Sequence, residues 1–149
     1  MMRWLRQYDH YSCGPVALIN LDKWRGKSVT KLDLPHYRRR CHCCYPDGTS
    51  TINFLRTVGQ PPISQLNYHR FKEHLLSGGV AIIHTTFDNG CGHFFFVRGI
   101  AQHKNGRRGF LVVNFAENET LTLLSWQRMA RLVWRGYTWL FCDKNFCGL

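Results

Sequence analysis

Helical patterns followed by strand patterns predict an α+β domain with its helices first and an antiparallel sheet after them. Three observations carry this. A broad apolar helical face runs from Val16 to Trp24. The period then changes at Val80, where Val80-Ala81-Ile82-Ile83-His84-Thr85 has the continuous apolar character of a buried strand. Beyond it, Asp88-Asn89-Gly90 and Asn105-Gly106 are turn signals that separate further strand-like runs. The chain has 149 residues, the usual size of one domain, so residues 1–149 are expected to form a single unit.

The first helix is signalled by Pro15, which suits a first helical position because its missing N–H is not needed there. Gly26 marks its end. This places Cys13 just outside the N-terminus of a buried helix. A second helix is expected from about Thr30 to Arg39. Cys41 to Ser50 is irregular, with a turn at Pro46-Asp47-Gly48. Helices follow at Thr51–Val58, ended by Gly59 and Pro61-Pro62, and at Tyr68–Leu76, stopped by Gly78-Gly79. After the strand at Val80, His93 to Ile100 and Gly109 to Phe115 are the next two strands. Ser125 can cap a short helix through Leu132, and Tyr137 to Cys142 closes the sheet.

Composition bounds the function. No stretch approaches the roughly 20 apolar residues of a membrane helix. The start, Met1-Met2-Arg3-Trp4-Leu5-Arg6-Gln7, has no apolar run after its charges, so no signal peptide is expected. Seven cysteines, an odd number, argue against a secreted disulfide framework and for free thiols in a reducing, cytoplasmic setting. The net charge is +11. Such a charge favours acidic protein or nucleic-acid partners, or is simply a solvated basic surface.

Four residues form a candidate catalytic set. Unpaired N–H groups and the helix dipole favour a thiolate at a helix start, where Cys13-Gly14-Pro15 places a cysteine, with Gly14 leaving room for a substrate backbone. His93 begins a strand after Gly90-Cys91-Gly92, where its imidazole can serve as base for that thiol. Asn114 ends the next strand and can hold the far ring nitrogen of His93. Gln7, six positions before Cys13, can supply a side-chain amide to an oxyanion alongside the Cys13 N–H. Each residue also has an ordinary structural meaning: a core thiol, a sheet-end histidine, a turn asparagine, a surface glutamine.

The pattern as a whole resembles a known family. Gln7-Tyr8-Asp9-His10-Tyr11-Ser12-Cys13-Gly14-Pro15-Val16-Ala17-Leu18 resembles the nucleophile segment of papain-like cysteine peptidases, in particular the bacteriocin-processing peptidase domains of ABC transporters and their free-standing relatives. Gly92-His93-Phe94-Phe95-Phe96-Val97 resembles the catalytic-histidine strand, and Gly109-Phe110-Leu111-Val112-Val113-Asn114 the strand that ends in the orienting residue. The processing peptidases usually carry aspartate where this chain has Asn114; papain-like enzymes elsewhere use asparagine. The resemblance implies a papain-like fold and a thiol peptidase acting on a peptide or protein through Cys13, His93, Asn114 and Gln7, without a cofactor. The contrasting expectation is a non-catalytic module of the same fold that binds an anionic partner.

Other residues also carry reactive or charged groups. Cys41-His42-Cys43-Cys44, with Cys142 and Cys147, offers zinc-ligand types without a standard zinc spacing. Cys91 is a rival thiol without a helix N-terminus to activate it. His10 and His84 are possible additional site residues. Arg38-Arg39-Arg40 and Lys104 to Arg108 are basic clusters that could contact phosphate, although the aromatic residues that could stack on bases fall in expected core strands.

Overall fold

The apolar segment after Ser12 forms helix α1 (Cys13–Trp24), and its residues from Cys13 through Asp22 are buried without a break. A helix buried on every side belongs at the centre of a domain. In the computed structural model, which describes residues 3–86, 92–116 and 119–142, α1 lies between a sheet and a small helical layer. A 3-10 turn (Lys31–Asp33) leads into α2 (Leu34–Arg40), so the single helix expected there is split. The cause is a local exchange: the Asp33 side chain accepts from the Thr30 N–H at 2.9 Å while Thr30 Oγ1 accepts from the Leu32 N–H at 3.2 Å. The Tyr37 hydroxyl of α2 then donates to the buried Asp22 carboxylate of α1.

The loop after α2 is closed by the reciprocal backbone bonds of Cys44 and Gly48, at 3.2 and 2.7 Å, around the expected Pro46-Asp47-Gly48 turn. Helix α3 (Thr51–Val58) follows and ends on Gly59 at φ 79°, a left-handed position that glycine adopts without strain. Next come a two-residue strand β1 (Ile63–Ser64), helix α4 (Tyr68–Leu76), strands β2 (Val80–Thr86), β3 (Gly92–Gln102), β4 (Arg108–Ala116) and β5 (Glu119–Leu124), helix α5 (Trp126–Arg135) and strand β6 (Tyr137–Phe141). The six strands form one antiparallel sheet in the order β1-β6-β2-β3-β4-β5.

Strand alternation gives the sheet two different faces. Val80, Ile82, Phe94, Phe96, Val113, Trp139 and Phe141 face α1 and its neighbours. Phe54 of α3 locks this side, stacked on Phe94 at 4.4 Å and edge-on to Trp139 at 4.8 Å. Ala81, Ile83, Phe95, Val97, Phe110 and Val112 face the other way, against Phe71 and Leu75 of α4 and Met129 and Val133 of α5. Helices thus cover both faces of the sheet.

Strands β1 and β5 were not expected. The first is a two-residue edge pairing, too short to show a period. The expected turn at Asp88-Asn89-Gly90 lies outside the described residues. Among the described residues no helix is long and apolar enough to cross a membrane.

Candidate active site

The segment that carries Cys13 is held from several sides. The strip before α1 runs back along the helix, where the buried Asn20 side chain accepts from the Leu5 N–H at 2.8 Å and donates to the Leu5 carbonyl at 3.0 Å. The helix starts at Cys13 itself, with Ser12 as its N-cap, so Cys13 lies inside it and Pro15 is its third residue rather than its first as expected. A helix start leaves its early N–H groups unsatisfied. Here Pro15 has none to offer, and the Val16 N–H is bonded to the Ser12 carbonyl at 2.9 Å. The remaining first-turn amides are those of Cys13 and Gly14, and both act on the Cys13 sulfur, as does the backbone of Phe94. Cys13 is 8% exposed and so sits at the surface of the core, its thiol against the backbone of the residue that follows His93.

A Cβ on Gly14 would lie 3.0 Å from Thr49 and 3.6 Å from the Phe94 ring, so its missing side chain makes room for these two neighbours.

The structure joins the other three candidates by hydrogen bonds. The Gln7 N–H donates to Asn114 Oδ1 at 3.0 Å, and Asn114 Nδ2 donates to Gln7 Oε1 at 3.2 Å. His93 Nε2 lies 2.6 Å from the main-chain carbonyl oxygen of Asn114. The expectation assigned this contact to the Asn114 side chain, but the main chain makes it. The reason is backbone geometry. Asn114 is buried with φ 62°, the left-handed region that asparagine tolerates better than other side chains, and the β4–β5 register shifts between Val113 and Ala116. The kink turns the carbonyl onto the imidazole and the amide onto Gln7.

A carbonyl can only accept, so Nε2 carries the proton, and in the neutral ring Nδ1 is the basic nitrogen. Burial depresses the His93 pKa below 6.5, with the Asn114 hydrogen bond opposing part of that shift, so at neutral pH the ring is an uncharged base. The thiol differs from the expectation. The amides of Phe94, Gly14 and Cys13 do favour a thiolate, but burial outweighs them and raises the Cys13 pKa above 9.0. The resting pair is therefore a neutral thiol and a neutral imidazole.

His84 belongs to the same neighbourhood. It pairs with Phe94 across β2 and β3, its ring stacked on Phe94 at 4.1 Å, with Nδ1 3.0 Å from Thr51 Oγ1. Burial first, then the charge of nearby His93, lowers its pKa to about 4. His10 is exposed. Among the described residues no group of three or more His, Cys, Asp or Glu side chains is placed to hold a metal ion, and Cys147 lies outside them. Cys43 donates to the Tyr11 carbonyl at 3.2 Å, and the buried Cys41 thiol is pushed up to about 12, chiefly by desolvation. Cys91 lies outside the described residues. The Lys104–Arg108 cluster is an exposed turn, while Arg38 is engaged with Asp9 and Ser12.

Two solved structures share this architecture. A double-glycine-motif protease from an AMS/PCAT transporter, in complex with the leader peptide, superposes with a TM-score of 0.65 at 15% identity, covering 94% of this chain and 91% of that one. The peptidase domain of Streptococcus ComA, a bifunctional ABC transporter of a quorum-sensing pathway, gives 0.60 at 14% identity, covering 95% and 99%. The chain has the fold of a papain-like, double-glycine peptidase domain. No protein-family model matches the sequence, and no curated protein matches it. The likeness is one of fold, carried by the order of helices and strands around α1.

Proposed function

We propose that this chain is a cysteine peptidase that cleaves a peptide or isopeptide bond through Cys13, His93, Asn114 and Gln7. The observation that carries this reading is the linked set at the sheet's end: Asn114 binds both Gln7 and His93, and the Cys13 thiol rests against the backbone next to His93. A module that only binds a partner has no use for a half-buried, oriented imidazole one residue from the backbone that meets a helix-start thiol. The fold shared with a protease bound to its leader peptide supports a peptide substrate.

In the proposed reaction, His93 Nδ1 takes the Cys13 proton as sulfur attacks the substrate carbonyl carbon. The Cys13 N–H and the NH2 of Gln7, whose oxygen end Asn114 occupies, face the developing oxyanion. The C–N bond breaks as His93 returns the proton to the leaving amine, giving a thioester. Water, deprotonated by the same nitrogen, then releases the acid and restores the thiol. The Asn114 carbonyl holds the imidazolium formed in each half-reaction.

The test is a peptide-library digest read by mass spectrometry, with Cys13→Ala beside the wild type. Cleavage is expected to vanish in the variant while its thermal unfolding stays close to wild type. Cleavage that persists in Cys13→Ala would remove the assignment.

A further inference from the structure

The turn that delivers Cys13 contains a polar arrangement that the proposed chemistry does not use. One oxygen of Asp9 accepts the N–H groups of Tyr11 and Ser12, at 3.0 and 2.7 Å. The other accepts the Ser12 hydroxyl at 2.8 Å and Arg38 Nη2 at 2.5 Å. Arg38 Nε also donates to Ser12 Oγ at 2.9 Å, and its guanidinium lies 5.2 Å from the centre of the Tyr11 ring. Three side chains, one of them reaching across from α2, thus close a ring of hydrogen bonds behind the nucleophile.

The consequence lies in what Ser12 does not do. A serine at a helix N-cap normally turns its hydroxyl to accept a first-turn N–H. Ser50 and Ser125 do this for Asn53 at 3.0 Å and Arg128 at 3.2 Å. At α1 the third residue is Pro15, which has no N–H, so the amide left for a cap at Ser12 is that of Gly14; Ser12 makes no bond to it, and its hydroxyl is directed to Asp9 and Arg38 instead. The Gly14 amide acts on the Cys13 sulfur.

We infer that Asp9, Ser12 and Arg38 act as a positioning clamp that holds the Ser12 hydroxyl away from the start of α1, keeping the Gly14 amide available to the Cys13 thiolate. The inference rests on the reading of Cys13 as nucleophile. The clamp holds its charge over a wide range. Burial alone would raise the Asp9 pKa, but the bonds from Ser12, the two amides and Arg38 outweigh it and hold the carboxyl below 3.8.

The experiment compares Asp9→Asn, Arg38→Gln, Arg38→Lys and the double variant Asp9→Asn/Ser12→Ala with wild type. Two readouts are taken: kcat and KM on a peptide found by the library digest, and the rate of Cys13 alkylation by iodoacetamide against pH. In Asp9→Asn, kcat is expected to fall about 10²-fold with KM nearly unchanged, the size of effect that a small misplacement of a reacting group produces. Alkylation of Cys13 should slow in parallel at neutral pH. Arg38→Lys should recover part of what Arg38→Gln loses, since an ammonium keeps the charge without the fork. The double variant should regain part of both rates, because the competing hydroxyl is gone.

A clamp that served only stability would lower Tm without moving the alkylation profile, and Ser12→Ala would then deepen the loss instead of relieving it. Either result overturns the inference. If Asp9→Asn does not fold, the partly exposed Arg38 pair decides the matter by the same two readouts. Altered alkylation in a protein that cleaves no peptide would remove the peptidase reading and leave the clamp standing. Cys13-dependent cleavage with wild-type alkylation in every variant would do the reverse.

Discussion

The N-termini of α1 and α5 begin alike, each with a serine at the cap, and end up as opposites. At α5, Ser125 turns inward and satisfies the Arg128 N–H. At α1, the Ser12 hydroxyl turns to Asp9 and Arg38 and leaves the Gly14 amide to the sulfur. The same residue type meets different donors: the third residue of α5 offers the Arg128 N–H, whereas the third residue of α1 is Pro15, which has none. The contrast extends to the layers. Helix α5 packs against Ala81, Ile83, Phe95 and Phe110, whereas α1 packs on a face whose end carries His84, stacked on Phe94. A helix start becomes chemically useful when its neighbours prevent the ordinary cap.

Replacing His93, the proposed base, should separate the two regions most strongly. His93→Gln keeps a side chain that can donate to the Asn114 carbonyl but has no basic nitrogen. We expect kcat to fall on the order of 10³-fold, within the usual range for removing a general base, while Tm changes little. Steady-state kinetics and calorimetry on the same preparation check this. A comparable loss of activity from a substitution on the α5 face with the fold intact would erase the distinction.

The legibility of the sequence follows the same division. Helices α1, α3 and α4 and strands β2, β3, β4 and β6 were readable because each carries a sustained period and a glycine, proline or capping residue at its ends. β5 was not, because Leu121, Leu123 and Leu124 alternate with threonine over too few residues before Ser125 to stand out from a loop. Gln7, Cys13, His93 and Asn114 were readable as a pattern of residue types in order. The use of the Asn114 main chain was not, because it depends on a left-handed φ that several residue types can decline and asparagine merely tolerates. The clamp was hidden for another reason: Arg38 is 29 positions from Asp9, and only the packing of α2 beside α1 brings them together. The one available signal was an aspartate three residues before a serine at a helix start.

The next effect is on stability against pH. Both His84 and His93 are held neutral in the fold, with pKa values depressed below 6.5. The unfolded chain therefore binds more protons than the native one between about 6.5 and about 4 for His84, so stability rises with pH across that window and is lost as pH falls through it. We expect His84 to account for about 2 kcal/mol, allowing for its partly solvated position. Urea unfolding at a series of pH values should show the slope, and His84→Gln should flatten it.

The smallest effect tests the opening contrast directly. Ser125→Ala removes a real cap and is expected to cost about 1 kcal/mol, with faster hydrogen exchange at the Arg128 amide. Ser12→Ala removes no cap, so exchange at the Cys13 and Gly14 amides should not accelerate, whatever the loss of the Asp9 and Arg38 bonds does to global stability. Exchange at individual amides separates a local cap from a distant contact, which a Tm cannot do. If both substitutions released their first-turn amides equally, the two helix starts would be alike, and the openness of α1 would have to come from Pro15 and the sheet edge alone.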